Sequence, residues 1–152
     1  MYIYCDIDGV LTPPNKIFYC INNKLQKAKM FSDCDSYAIE KHKDNITFVT
    51  HDNEINAQWA LRRGVKCIVV PNIYDKFDYL YSRLWMRNYI YIGDTMHDFL
   101  CLKYAKKSYV PMSASYSLLN SKIREHLTVV PIEGGCGVLD WVCHHLDKEQ
   151  SA

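Results

Sequence analysis

Two short acidic clusters are the first residues in this sequence that could do chemistry. Asp6-Ile7-Asp8-Gly9-Val10-Leu11-Thr12 follows the run Tyr2-Ile3-Tyr4-Cys5, and Gly93-Asp94-Thr95-Met96-His97-Asp98 follows Tyr89-Ile90-Tyr91-Ile92. Between them, Thr50 ends the run Ile46-Thr47-Phe48-Val49, and Lys76 comes a few residues after Cys67-Ile68-Val69-Val70. Carboxylates from two strands make an oxygen-rich site suited to magnesium, a hard ion that keeps several of its waters. A lysine and a hydroxyl beside it can hold the phosphate oxygens that the metal leaves free. Phosphoryl transfer needs mainly positioning and charge stabilisation, which such a set supplies. Asp6 and Asp8 lie two apart, so on a continuing strand they share a face. One could attack phosphorus while the other manages the proton on the leaving oxygen.

For these residues to meet, the elements carrying them must be neighbours. The short runs rich in Ile, Val and Tyr predict strands at 2–5, 46–50, 67–70, 89–92, 108–110 and 128–130. Helical spacing predicts helices over 36–43, 54–63, 76–87, 96–105, 117–126 and 138–146. Arg62-Arg63 followed by Gly64 marks a helix C-terminus. Strand and helix in alternation imply an α/β three-layer sandwich around a central parallel, Rossmann-like sheet. Ligands of such sheets bind beyond the carboxyl ends of the strands, where both acidic clusters, Thr50 and Lys76 fall. Residues 13–31 break the pattern: two prolines precede two strand-like pieces, 17–21 and 25–31, around Asn22-Asn23-Lys24. They predict a β-hairpin flap after the first strand.

The chain of 152 residues is the size of one domain, expected to span 1–148 with a short tail at 149–152. A net charge of +1 advertises neither nucleic acid nor an anionic membrane. Lys24, Lys27 and Lys29 do cluster, most simply as a solvated face of the flap. No apolar run is long enough for a transmembrane helix, and no basic leader precedes the first strand. Seven cysteines without a Cys-x-x-Cys pair argue against a disulfide framework or a zinc knuckle. The expectation is a soluble, cytoplasmic protein with free thiols.

Asp-Ile-Asp-Gly-Val-Leu-Thr at 6–12 resembles motif I of the haloacid dehalogenase superfamily. Thr50, Lys76 and Gly93-Asp94 resemble its motifs II, III and IV, in the right order. The resemblance implies a magnesium-dependent phosphatase in which Asp6 forms an aspartyl-phosphate and Asp8 is the general acid and base. Thr50 and Lys76 would bind the phosphoryl group, while Asp6, Asp94 and the main-chain carbonyl of Asp8 would hold Mg2+. There is no room for a large cap domain. The similarity narrows to the capless subgroup containing 3-deoxy-octulosonate 8-phosphate and acylneuraminate 9-phosphate phosphatases. It is carried by Lys29-Met30-Phe31-Ser32-Asp33-Cys34-Asp35-Ser36, Val110-Pro111-Met112-Ser113-Ala114 and Glu133-Gly134-Gly135-Cys136-Gly137-Val138. By that similarity the substrate is a small phosphorylated sugar or sugar acid, touched by Gly9, Thr12, His51, Asp52, Gly134 and Gly135, and the protein is a homotetramer. Two departures stand out. Thr50-His51-Asp52-Asn53 replaces the usual Thr-Gly-Arg or Thr-Gly-Glu, where a sugar-acid carboxylate would lose a partner. Thr95 and His97 replace two polar residues of motif IV.

Competing roles remain for several residues. Asp98 with Thr95 fits a helix capping box, and equally fits holding Lys76 or supporting the metal from behind. His51 and His97 lack a metal-ligand partner at recognisable spacing and are expected to form pocket walls. Gly134-Gly135 could be only a turn before the last helix. Trp59, Trp85 and Trp141 lie in helical stretches and are expected to pack. Two other functions stay open: a nucleotide or polynucleotide 3′-phosphate phosphatase, suggested only by the lysine cluster, and a non-catalytic assembly or regulatory subunit.

Overall fold

The computed structural model describes residues 2–84 and 88–152. The elements run β1 (Ile3–Asp6), β2 (Ile17–Ile21), β3 (Lys24–Ala28), α1 (Ser36–His42), β4 (Ile46–Thr50), α2 (Ile55–Arg63) and β5 (Lys66–Val69). They continue with α3 (Lys76–Leu84), β6 (Ile90–Ile92), α4 (Phe99–Tyr104), β7 (Lys107–Pro111), α5 (Tyr116–Leu119), β8 (Leu127–Val130) and α6 (Val138–Ser151). Six strands form one parallel sheet in the order β5-β4-β1-β6-β7-β8. Its central strand β1 sets Ile3 beside Ile46 of β4 and beside Ile90 of β6. The chain winds outward from β1 to one edge and then returns to build the other. That reversal opens a crevice at the carboxyl ends of β1 and β6.

Alternation along the strands divides the core by face. Ile3, Cys5, Ile46, Phe48, Ile90 and Ile92 pack with residues of α1, α2 and α6, including Ile39, Ala60 and Val142. Tyr4, Val49, Tyr91 and Val110 face the other way, onto Leu80, Leu102 and Leu118 of α3, α4 and α5. Trp59 packs as expected, stacked on Phe31 at 4.3 Å and Phe48 at 5.6 Å between ring centroids. Trp141 stacks on His145 at 5.0 Å. The expected C-terminus of α2 is present, with Gly64 left-handed at φ 68° and its N–H bonded to the Ala60 and Leu61 carbonyls.

The flap is an antiparallel hairpin pairing Ile17 with Ala28 and Ile21 with Lys24. Asn22 and Asn23 both take positive φ, 50° and 58°, the two-residue turn whose twist suits a hairpin. Three expectations differ in detail, and a fourth is not tested. The second flap strand ends at Ala28 rather than Phe31, because Lys29 turns inward to carboxylates instead of continuing the ladder. The helix expected over 117–126 stops at Leu119: the Asn120 N–H still reaches the Tyr116 carbonyl, but Ser121 bonds back three residues, to Leu118, instead of four. The expected tail is helical: α6 continues to Ser151, with Glu149 paired to Lys107. Trp85 and the expected end of α3 at Arg87 lie outside the described residues. Among the described residues no helix is long and apolar enough to cross a membrane.

Candidate active site

The first acidic cluster leaves β1 through a tight loop. The Ile7 carbonyl accepts from the N–H groups of Val10, Leu11 and Thr12, and Asp6 Oδ1 accepts from the Ile7 N–H at 2.8 Å. Gly9 has φ 77°, and a Cβ there would stand 1.8 Å from Asp94 Oδ2. Only glycine lets the carboxylate after β6 approach the loop after β1 this closely. Thr12 Oγ1 accepts from the Gly9 N–H at 3.2 Å and donates to the Pro13 carbonyl at 3.3 Å. Gly134 and Gly135 press on the same loop from behind. A Cβ on Gly134 would meet the Gly9 carbonyl at 2.0 Å, and the Gly135 N–H donates to the Val10 carbonyl at 2.8 Å. Thr12, Gly134 and Gly135 therefore shape the loop and do not line the cleft.

Lys76, at the start of α3, places its ammonium 3.1 Å from Asp6 Oδ2 and 2.7 Å from Asp98 Oδ1. Burial works against this charge, but Asp6 and Asp98 outweigh it and hold the ammonium above its ordinary pKa. Asp98 is fully buried and saturated. Its Oδ1 also accepts from the Tyr91 hydroxyl at 2.9 Å, and its Oδ2 accepts from the N–H groups of Asp94 at 3.1 Å and Thr95 at 3.3 Å. Both roles weighed for Asp98 are realised: it caps the turn after β6 and holds Lys76. Burial disfavours its ionisation, but Lys76, Tyr91 and the Asp94 N–H outweigh burial and lower its pKa.

On the other side of Asp6, the buried Thr50 Oγ1 accepts from the Asp52 N–H at 3.0 Å and from Asn56 Nδ2 at 2.8 Å. Asn56 Nδ2 also donates to Asp8 Oδ2 at 2.9 Å. Lys29, its side chain only 3% exposed, lies 2.7 Å from Asp8 Oδ1 and 2.8 Å from Asp52 Oδ2. Lys27 reaches the same Asp52 oxygen at 2.6 Å. The flap lysines are thus not the solvated face expected of them, because the hairpin folds over the carboxyl edge and brings two of the three to half-buried acids. Asp52 Oδ1 accepts from the Glu54 and Ile55 N–H groups, at 3.0 and 2.9 Å. Burial opposes its charge, but the two lysines and the Ile55 N–H prevail and depress its pKa strongly.

These groups line a cleft of about 280 Å³ bounded by Asp6, Asp8, Gly9, His51, Asp52, Lys76, Asp94 and Thr95, with Pro14, Lys16, Lys27 and Lys29 from the flap side. His51 and His97 are walls, as expected: His51 Nδ1 bonds the Val70 carbonyl at 2.8 Å, and His97 meets Tyr74 edge-on. Lys27, Lys29, Asn56 and Tyr91 were missed as site residues. Asn56 is one polar position in a helix and Tyr91 one aromatic in a strand, so neither carries a sequence signal. Lys29 sat in a recognised segment but showed no partner.

Oxygens of Asp6, Asp94 and Asp98 lie within 4.8 Å of one another. Asp98 is committed elsewhere, whereas the Asp94 carboxylate receives no hydrogen bond or ion pair among the described residues, although it is buried. Burial, then the charges of Asp6 and Asp98, push the Asp94 pKa upward. Asp6 is also raised, by burial and by Asp98 and Asp8, against the pull of Lys76. Two buried carboxylates that resist ionising without a further cation fit a hard divalent ion held by Asp6 and Asp94.

No protein-family model and no curated protein matches the sequence. Solved structures do match the fold. The 3-deoxy-D-manno-octulosonate 8-phosphate phosphatase of Yersinia pestis is 21% identical, with 99% of this chain and 82% of that one covered and a TM-score of 0.77. The Moraxella catarrhalis phosphatase of the same name, solved with magnesium, phosphate and KDO, is 18% identical over 97% of this chain and 85% of its own, with a TM-score of 0.77. The cobalt-bound Haemophilus influenzae phosphatase is 19% identical over 99% and 88%, with a TM-score of 0.78. The chain therefore has the fold of these haloacid dehalogenase-type structures, a parallel sheet with a hairpin flap and, among the described residues, no large cap.

Proposed function

We propose that this chain is a magnesium-dependent phosphomonoesterase that works through an aspartyl-phosphate on Asp6, with a small phosphorylated sugar or sugar acid as substrate. One observation carries this reading: Asp6 stands at the carboxyl end of the central strand with Lys76 at 3.1 Å on one side and the unpartnered Asp94 carboxylate on the other. Magnesium, held by Asp6, Asp94 and the Asp8 carbonyl, would supply positive charge to the phosphoryl oxygens and orient them. An Asp6 oxygen attacks phosphorus in line. The Thr50 hydroxyl already accepts two hydrogen bonds, so its own O–H is free to donate to a phosphoryl oxygen. Lys76 adds charge at the same edge and, with Asp98 behind it, keeps Asp6 in place. Asp8 protonates the leaving alcohol as the P–O bond breaks. It then takes a proton from the water that hydrolyses the aspartyl-phosphate and releases inorganic phosphate.

The phosphatases that share this fold support a sugar-acid type of substrate, and the small cleft supports a metabolite-sized one. A polynucleotide substrate finds less support, because Lys27 and Lys29 are engaged with Asp52 and Asp8 rather than free to track a backbone. A homotetramer is part of the proposal. Ile17, Phe18, Tyr19, Ile21 and Leu25 are exposed on the flap, on more than one face of the hairpin, an apolar surface suited to burial against a second copy. A cytoplasmic setting suits seven cysteines that are all free. The test is hydrolysis of p-nitrophenyl phosphate with magnesium and with chelator, by the wild type and by Asp6→Asn. Activity that needs the metal and vanishes in the variant is expected. Full metal-dependent activity in Asp6→Asn would sink the proposal.

A further inference from the structure

Lys29 comes from the flap connection, outside the four motifs that carry Asp6, Thr50, Lys76 and Asp94. Yet its buried ammonium contacts four acceptor atoms on three residues that flank the nucleophile. It lies 2.7 Å from Asp8 Oδ1, 2.9 Å from Asp8 Oδ2, 2.9 Å from Asn56 Oδ1 and 2.8 Å from Asp52 Oδ2. Asp8 itself sits on the loop after β1, and its side chain is 34% exposed toward the cleft. Nothing else in the loop directs that carboxylate: the loop's own hydrogen bonds are to main-chain atoms, to the Asp6 side chain and to Thr12. Its side-chain partners among the described residues are Lys29, which approaches both oxygens, and Asn56, which donates to Oδ2. Asn56 in turn holds Thr50, and Asp52 anchors Lys29 through a carboxylate already fixed at the start of α2.

Resting on the phosphatase reading above, we infer that Lys29 is a positioning residue that aims the Asp8 carboxyl at the leaving-group oxygen. In the first step Asp6 forms the O–P bond, the bond from phosphorus to the leaving oxygen breaks, and the proton on Asp8 passes to that oxygen. Asp8 becomes a carboxylate as the proton departs, and the adjacent ammonium stabilises the charge at the moment it forms. Lys29 touches neither phosphorus nor the transferred proton. The arrangement also ties the flap to the chemistry: the connection after β3 delivers the cation, so the hairpin's seating sets where Asp8 points.

Leaving groups separate this role from a structural one. An aryl phosphate releases a phenolate that needs little protonation, whereas an alkyl phosphate releases an alkoxide that must be protonated. The experiment measures kcat/KM, which reports the first phosphoryl transfer, for wild type and Lys29→Met on p-nitrophenyl phosphate and on a simple alkyl phosphate such as glycerol 2-phosphate, with magnesium present. General acid catalysis is worth about 10²–10⁴-fold, so the alkyl ester is expected to lose at least about tenfold more than the aryl ester. If Lys29→Met does not fold, Lys29→Gln, which keeps an N–H donor beside both carboxylates, is expected to show the same selective loss. Equal losses on the two esters, or no loss on either, overturn the inference and leave the phosphatase reading standing. A wild-type protein inactive on both esters refutes that reading and the inference with it.

Discussion

Replacing Asp98 with asparagine alters the chemistry of one atom and almost none of the shape, which makes its cost calculable. All four groups around Asp98 are donors: the Lys76 ammonium and Tyr91 hydroxyl at Oδ1, and the Asp94 and Thr95 N–H groups at Oδ2. An amide presents one acceptor and one donor. Turned one way, its NH2 faces two main-chain N–H groups. Turned the other way, it faces the ammonium, and only the Tyr91 hydroxyl can rotate to accept. Either choice leaves buried donors opposed, and it removes the nearer carboxylate from a lysine whose side chain is 3% exposed. Breaking one side of a buried ion pair costs about 3–5 kcal/mol, and a buried unsatisfied donor about 1–3 kcal/mol. The two overlap here, so about 3–5 kcal/mol is the expected loss. The assay is urea denaturation of both proteins near pH 7 in chelator, so that metal binding does not enter. A Cm shift worth less than about 1 kcal/mol at unchanged slope would refute the claim that Asp98 is the fixed support of Lys76.

Two further outcomes are expected. Gly9→Ala puts a methyl group where Asp94 Oδ2 now lies, on a backbone with φ 77°. Displacing a catalytic group by about 1 Å costs on the order of 10²-fold in rate, so kcat/KM on p-nitrophenyl phosphate should fall by about that factor while circular dichroism shows the fold retained; activity within a few-fold of wild type would count against the contact. Asp35, 2% exposed, has its carboxyl pushed by burial from 3.8 to about 6, against the pull of the Asp140 N–H. Because the folded value lies above the unfolded one, ionising Asp35 costs stability: nothing below about pH 4, and about 3 kcal/mol once the pH passes about 6. Asp35→Asn removes that cost, so its stability relative to wild type should rise by about 3 kcal/mol between pH 4 and pH 7 in urea titrations. A difference that does not vary with pH would show that the start of α6 fully offsets the burial.

Much of the fold was legible because parallel sheets write themselves plainly. Strands buried on both faces read as short apolar runs, such as Ile46–Thr50, and glycine after paired cations marked the end of α2. Asn22-Asn23 announced the hairpin because only a few residues accept two positive φ values in succession. The helix expected over 117–126 ends early, where Ser121 bonds three residues back instead of four, and α6 runs on through the expected tail to Ser151.

The sequence by itself determined which reactive side chains gather: Asp6, Asp8, Thr50, Lys76 and Asp94 each end or follow a strand, and the strand ends of a parallel sheet share one edge. What each residue does there was decided only by tertiary structure. Thr12, Gly134 and Gly135 became the frame of the loop after β1, because a glycine without a Cβ can lie against another segment's backbone. Asp52 became an anchor for two lysines, and Lys29 came inward from what looked like a solvated patch. Those roles depend on the hairpin folding back over the sheet edge, a contact between residues 21 to 27 positions apart, such as Lys29 with Asp8 and with Asn56. Periodicity and motif spacing describe a chain's neighbours along itself, and a cation's partner across a cleft leaves no trace in either.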